Sequence, residues 1–369
     1  MLIYCVIFGL LLFSLFIFKA ENSFIFNCFP SNLLFKFIFV FFFIIVAFRD
    51  LSVGTDTFHY NYGYQQIVKS SFDFKNNPYS APFYYLLCYL CGFITDNGIS
   101  IRIIQAGITY YCFYKLISKV SEYKYLSIFL FFVFGYFAST MNGARQIMAN
   151  SMVLYAIYLF HIDKKYLLSI LLASLGVLPH ITSFVALSIP LLWLFLKKEK
   201  NLLDVFLVSI FIAVATNFLY KYIAFLISEN IEHYKIYTTV EDTWNMFIQN
   251  TTGVVAYLFL FYISIIVTFI IKSNNKLYDY NFVKIILPFV TVSSVFGLLN
   301  PFNQIIYRVL FTSNLLIAIV LIPNTLKLLN TKEKTLYICM IVLFSVFMFC
   351  YDLVLKNGGE IVPYSLISF

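Results

Sequence analysis

Charge is what this sequence has least of: Asp, Glu, Lys and Arg make up 11% of its 369 residues, against 62% hydrophobic and 21% aromatic. A water-soluble domain carries about a quarter of its residues charged, so one soluble core is excluded. Histidine and tryptophan are rare as well, at four and two. No P-loop, GxSxG, HExxH or paired metal-ligand spacing occurs, which argues against a nucleotide-driven pump or a metalloprotease and leaves no cofactor expected. The seven cysteines (Cys5, Cys28, Cys88, Cys91, Cys112, Cys339, Cys350) lie mostly in apolar stretches, and the Cys88/Cys91 CxxC has neither a nearby His nor a second pair. They read as small core residues. Arginine is scarcer than lysine by far, since 21 of the 25 basic residues are lysine and only Arg49, Arg102, Arg145 and Arg308 are not.

What the chain has instead is apolar length. Runs broken by polar residues predict spans near 2–18, 32–48, 99–117, 125–141, 145–161, 166–178, 181–196, 203–220, 252–271, 282–299, 304–326 and 335–351. Unbroken runs of about 17–25 apolar residues suit helices crossing a bilayer, whereas a barrel shows short alternating strands. The expected fold is therefore all-α, a polytopic membrane bundle of about twelve transmembrane helices in one domain over 1–369. Residues 2–18 lack a charged leader and a cleavage site before Lys19, so they read as a retained span.

The net charge of +8 comes from lysines in short loops, which marks topology rather than a nucleic-acid surface. The loops Ser118 to Lys124, His161 to Lys165, Lys197 to Lys200, Lys272 to Lys276 and Lys327 to Lys334 agree in parity and are expected to be cytoplasmic. Ala81 to Thr95 is too short to cross and reads as a re-entrant or interfacial helix. The segments 49–80 and 221–251 then become larger extracytoplasmic loops. The Asn142/Gly143 turn, the Pro179/His180 turn, Asn300 to Gln304 and the C-terminal tail face the same way. All four arginines fall on that side, against the positive-inside tendency, and a misplaced guanidinium points to a role.

Four polar elements collect there. The first is Arg49 followed by Val53-Gly54-Thr55-Asp56-Thr57 and Tyr60, a turn whose Thr and Asp side chains can fold back on the backbone. The second is Ala144-Arg145-Gln146 at the opening of a span, where the arginine either snorkels or points into a polar cavity. The third is Pro179-His180, and the fourth is Tyr307-Arg308 entering a span. Arg102 follows the Asp96-Asn97-Gly98 turn and ranks last, since it can pair with Asp96. Tyr60, Tyr62, Tyr64 and Trp244 are aromatic candidates for a sugar-binding surface.

Taken together, Arg49 with Val-Gly-Thr-Asp-Thr at 53–57 and Tyr60, Ala144-Arg145-Gln146, the segment ending Leu178-Pro179-His180, Tyr307-Arg308, Ile322-Pro323 and Val362-Pro363-Tyr364 resemble the EpsG family of bacterial polysaccharide polymerases. The resemblance implies a plasma (inner) membrane glycosyltransferase. It would join polyprenyl-diphosphate-linked oligosaccharide repeat units into a capsule, O-antigen or exopolysaccharide on the outer face. It also implies partnership with the growing polysaccharide, the lipid bilayer, and flippase and chain-length or export proteins, and no nucleic acid. On that reading Arg145 and Arg308 clamp the diphosphate, with Arg49 a further candidate, and Asp56 or His180 accepts the proton of the attacking hydroxyl. Gly54, Thr55, Thr57, Tyr60 and Gln146 complete the substrate-binding set. A lipid-linked-sugar flippase or polysaccharide exporter is the competing class, and it predicts internal repeats and charges near mid-span. A non-enzymatic scaffold predicts that Arg145→Lys is harmless.

Overall fold

The computed structural model describes residues 2–19, 31–69, 81–197, 201–230, 254–273, 281–300, 306, 310–351, 357 and 360–367. Among them every named element is a helix, and the one β feature is an isolated bridge between Arg49 and Leu366. Two compact units emerge: residues 1–184 with 318–369, and residues 185–317.

The first unit opens with α1 (Leu2–Lys19), α2 (Ser31–Ala47), α3 (Thr55–Lys69), α4 (Pro82–Gly92) and α5 (Ile99–Val120). It continues with α6 (Lys124–Val133), α7 (Tyr136–Asn142), α8 (Ala144–His161) and α9 (Tyr166–Val177). In the centre α5 packs between α2 and α8, and α9 lies on α8. The buried face of α5 runs Ile101, Arg102, Gln105, Ala106, Thr109, Tyr110, Phe113, Leu116 and Ile117. That is the three-and-four spacing of one helical stripe. The α8–α9 seam is tight at Gly176, where a β-carbon would sit 2.9 Å from Val153 Cγ2, and Ser169 Oγ donates to the Ala156 carbonyl at 2.7 Å. Small residues and hydroxyl–carbonyl bonds are how apolar helices associate where no water drives them together.

Three differences from the expected spans have local causes. The run 125–141 is two helices, α6 and α7, bent by 56° where Gly135 adopts φ +78°. The segment 49–80, expected as a loop, contains the fifteen-residue helix α3, whose polar composition hides it from a hydropathy reading. The run 203–220 continues to Asn230. On length and apolarity three described helices can cross a bilayer: Leu202–Leu219, Phe282–Leu299 and Phe311–Leu328. The bent pair makes a fourth. The 81–95 segment folds as the eleven-residue α4, with Cys88 and Cys91 buried and unbridged on its inner side. Cys112 is buried too, while Cys5, Cys339 and Cys350 are exposed and so are not core residues.

In the second unit α10 (Ser188–Leu196), α11 (Leu202–Asn230) and α12 (Val254–Lys272) each pack on α13 (Asn281–Leu299). Asn300 Nδ2 donates to Asn217 Oδ1 at 2.7 Å and to the Phe296 carbonyl at 2.9 Å, satisfying polar groups at the end of α13.

Further along, α14 (Phe311–Leu316) leads through a π turn (Ile317–Leu321) into α15 (Ile322–Leu328), and α16 spans Thr331–Phe349. Pro323 has no N–H for the carbonyl four residues earlier, Ile319. Ser127 Oγ of α6 supplies the missing donor at 2.7 Å, and Asn324 and Thr325 bond back to Val320 and Leu321.

The first unit also orders its two ends. The 118–124 loop meets 327–334: Lys327 Nζ lies 2.9 Å from Glu122 Oε1, Lys334 bonds the Tyr123 hydroxyl, and Asn324 Nδ2 reaches the Val120 carbonyl at 3.0 Å. Two loops expected on one side of the membrane therefore share one face. The 48–54 loop meets the C-terminal tail, through Asp50 N to Ser365 O at 2.9 Å, Gly54 N to Glu360 O at 3.1 Å and Ile367 N to Phe48 O at 3.1 Å. Two segments expected on the other side likewise share a face.

Candidate functional site: a buried arginine cluster

Where the chain leaves α2, Gly54 takes φ +90°, a conformation other residues resist, and its α-carbon faces the Met141 carbonyl so closely that a β-carbon would sit 3.1 Å away. This turn brings Arg49 and Thr57 against the last turn of α7. Arg49 is 2% exposed, and each of its nitrogens has a partner: Nε donates to Thr57 Oγ1 at 3.2 Å, Nη1 to the Val46 carbonyl, and Nη2 to the Met141 carbonyl at 3.0 Å. The two carbonyls belong to helix ends, which have no intrahelical donors of their own. Thr57 has a single hydroxyl proton, and Val53 O at 2.7 Å is the nearer of its two acceptors, so its lone pairs remain for Arg49. Burial, reinforced by the charge of Arg102, pushes the Arg49 guanidinium down to about 10, which leaves it protonated at neutral pH.

Asn142 holds the start of α3. Its Oδ1 accepts from Thr55 Oγ1 at 2.6 Å and from the Asp56 amide at 3.1 Å, a cap supplied by another helix. One turn on, the Tyr60 hydroxyl donates to Asp56 Oδ2 at 3.3 Å. The Arg145 guanidinium, in the first turn of α8, lies 5.2 Å from the Tyr60 ring centre and 5.4 Å from that of Tyr84 on α4. Cation–π contact of this kind holds a guanidinium between aromatic faces without neutralising it. Gln146 follows, half-buried.

Two narrow cavities adjoin this cluster and share Arg49, Arg102 and Gln105. The first is also lined by Thr57, Tyr60, Asn61 and Tyr84, the second by Thr109, Thr140 and Ala144. Arg102 is 5% exposed, and among the described residues its Nε, Nη1 and Nη2 have no hydrogen-bond partner, nor does Gln105 Nε2. The expected pairing with Asp96 is not made, because Asp96 is exposed on the turn before α5.

The structure thus brings together Arg49, Gly54, Thr55, Asp56, Thr57, Tyr60 and Arg145 at one end of the first unit. His180 precedes the 3₁₀ turn Ile181–Leu187, with its Nδ1 2.7 Å from Thr182 Oγ1. Tyr62 is exposed, but Tyr64 is a core residue, its hydroxyl bonded to the Thr95 carbonyl and 3.0 Å from Ser100 Oγ. Arg308 and Trp244 lie outside the described residues. Asn142, Tyr84, Arg102 and Gln105 are the members that the sequence reading missed or ranked low. A signal did exist for two of them: Arg102, Gln105 and Thr109 stand at i, i+3 and i+7, a polar stripe on an otherwise apolar helix.

Among the described residues the fold is all-helical and strongly apolar, which fits a membrane protein, and a guanidinium cluster sits at one end of the first unit. Comparison with known protein families narrows this, because residues 32–366 match the EpsG family. The chain belongs to the EpsG family, which is associated with polysaccharide polymerases. No curated protein and no solved structure matches it.

Proposed function

We propose that the protein is a multi-pass polymerase of the bacterial plasma membrane. It joins polyprenyl-diphosphate-linked oligosaccharide repeat units into a surface polysaccharide on the outer face. The observation that carries this reading is the juxtaposition of Arg145 with the Asp56–Tyr60 pair beside a buried arginine cluster. In the reaction a sugar hydroxyl of one unit attacks the anomeric carbon of another, and the polyprenyl diphosphate leaves with the bonding electrons. Negative charge grows on the leaving group, and donors held in a poorly solvated site stabilise it more than water does.

Arg145 and Arg308 are the proposed clamp on the diphosphate. Arg145 is suited to it, since the Tyr60 and Tyr84 rings fix the position of its guanidinium. Arg49 fits the clamp less well than the sequence implies, because its nitrogens are committed to Thr57 and two helix-end carbonyls. Asp56, acceptor of the Tyr60 proton, is the candidate base within the cluster, with His180 the other. Thr55, Gly54 and Thr57 shape the turn that presents Asp56, and Gln146 stands beside Arg145.

The test is a gel of surface glycans from cells whose only copy carries Arg145→Lys. Loss of the forked, stacked guanidinium is expected to abolish the ladder of long chains, by about 100-fold or more, while one-unit material persists. A wild-type ladder favours the scaffold alternative, and absence of all surface product favours a flippase or exporter.

A further inference from the structure

Among the described residues Arg102 is the guanidinium that the fold encloses and leaves unbonded. It lies one turn into α5, 5% exposed, with all three nitrogens out of hydrogen-bond reach of any partner. Its neighbour Gln105, 4% exposed, likewise aims an unsatisfied Nε2 inward. Buried polar groups are bonded in the great majority of cases, and buried charges are paired, so two adjacent exceptions on one helix face call for a missing acceptor.

The charges around Arg102 do not supply one. Asp50 attracts it only at a distance, without an ion pair, and is engaged by the amide and hydroxyl of Ser52 at 3.0 and 2.8 Å. Arg49 repels it. Both cavities that the two arginines share with Gln105 measure about 10 Å³, the space of one water-sized group. A sugar ring is excluded from such a space, whereas a single oxygen of an oxyanion fits. Donors face the space from the Arg102 fork and Gln105 Nε2, and on one side it is bounded by Tyr60 and Tyr84, whose rings also carry Arg145.

We propose that Arg102 and Gln105, backed by Arg49, form a buried oxyanion subsite that receives phosphoryl oxygens of the lipid-linked diphosphate, deeper than Arg145. This rests on the polymerase reading, and it adds a residue that the arginine-pair clamp does not contain. The subsite forms no covalent bond; it supplies charge and paired donors to non-bridging oxygens. The Arg102 guanidinium is then a group held for its ligand and not for the fold.

The test uses the full-length protein in lipid nanodiscs, with a polyprenyl diphosphate, the corresponding polyprenol and inorganic pyrophosphate as probes. Arg102→Met keeps the stem and removes the fork. It is expected to weaken polyprenyl diphosphate binding at least ten-fold, to leave polyprenol binding unchanged, and to leave the unfolding temperature unchanged or higher. Arg102→Lys is expected to fall between, since it keeps the charge and loses the fork. If inorganic pyrophosphate binds the wild type and shows the same loss, the subsite is supported as one for free phosphates as well. Wild-type-like diphosphate binding by Arg102→Met overturns the subsite and leaves the polymerase reading standing. Unfolding of Arg102→Met in the absence of ligand also overturns it. A wild-type protein that binds no polyprenyl diphosphate overturns both.

Discussion

Arg49 and Arg102 line the same two cavities and are both almost wholly enclosed, yet their surroundings differ at every nitrogen. The loop after α2 gives Arg49 a threonine hydroxyl and two helix-end carbonyls. The first turn of α5 gives Arg102 nothing. A buried guanidinium with its donors filled joins the elements that hold the acceptors, here α2, α3 and α7. One with its donors empty strains the fold that buries it unless something else fills them. Burial and charge alone therefore do not distinguish a structural arginine from a binding one; the occupancy of the donors does.

The comparison can be broken most sharply at Arg49. Arg49→Met strips donors from the Val46 and Met141 carbonyls and from Thr57, and is expected to destabilise the protein by about 3–5 kcal/mol, read as a fall in thermal midpoint in nanodiscs. A midpoint that does not move assigns Arg49 to the substrate instead. Thr57→Val keeps the shape and removes one acceptor from Arg49 and one donor from Val53 O. A loss of about 1–2 kcal/mol is expected by the same measurement. At the opposite face of the first unit, Lys327→Ala removes a solvent-exposed ion pair with Glu122 and is expected to change stability by less than about 1 kcal/mol. A larger effect there would show that exposed charge, and not enclosed hydrogen bonding, holds the helix ends.

Much of this contrast is written locally in the sequence, and part of it is not. Gly54 between Val53 and Thr55 announces a turn, and Arg145 at the opening of a span announces a guanidinium near a boundary; both stand where their neighbours imply. The helix α3 escapes a hydropathy reading because Asp56, His59, Asn61, Gln65 and Gln66 make it polar, and only its packing on α4 and α7 shows it to be part of the fold. The pairing of Arg102 with Asp96 fails for a different reason. Asp96 lies six residues away and offers a partner on paper, but the turn at Asn97 and Gly98 leaves that carboxylate in solvent while α5 carries the arginine inward. Ser127 could not have been matched to Ile319 from the sequence at all, since Pro323 frees a carbonyl 192 residues away from the hydroxyl that finds it. Non-local pairings of this kind depend on which helices become neighbours, which periodicity does not encode.

The most direct measurement sets the two arginines side by side: thermal unfolding of Arg49→Met and Arg102→Met in the same nanodiscs without ligand. A clear fall for Arg49→Met with an unchanged or raised midpoint for Arg102→Met is the predicted result, since only the first guanidinium has partners to lose. Equal losses in both would contradict it, and would make Arg102 as much a part of the scaffold as Arg49.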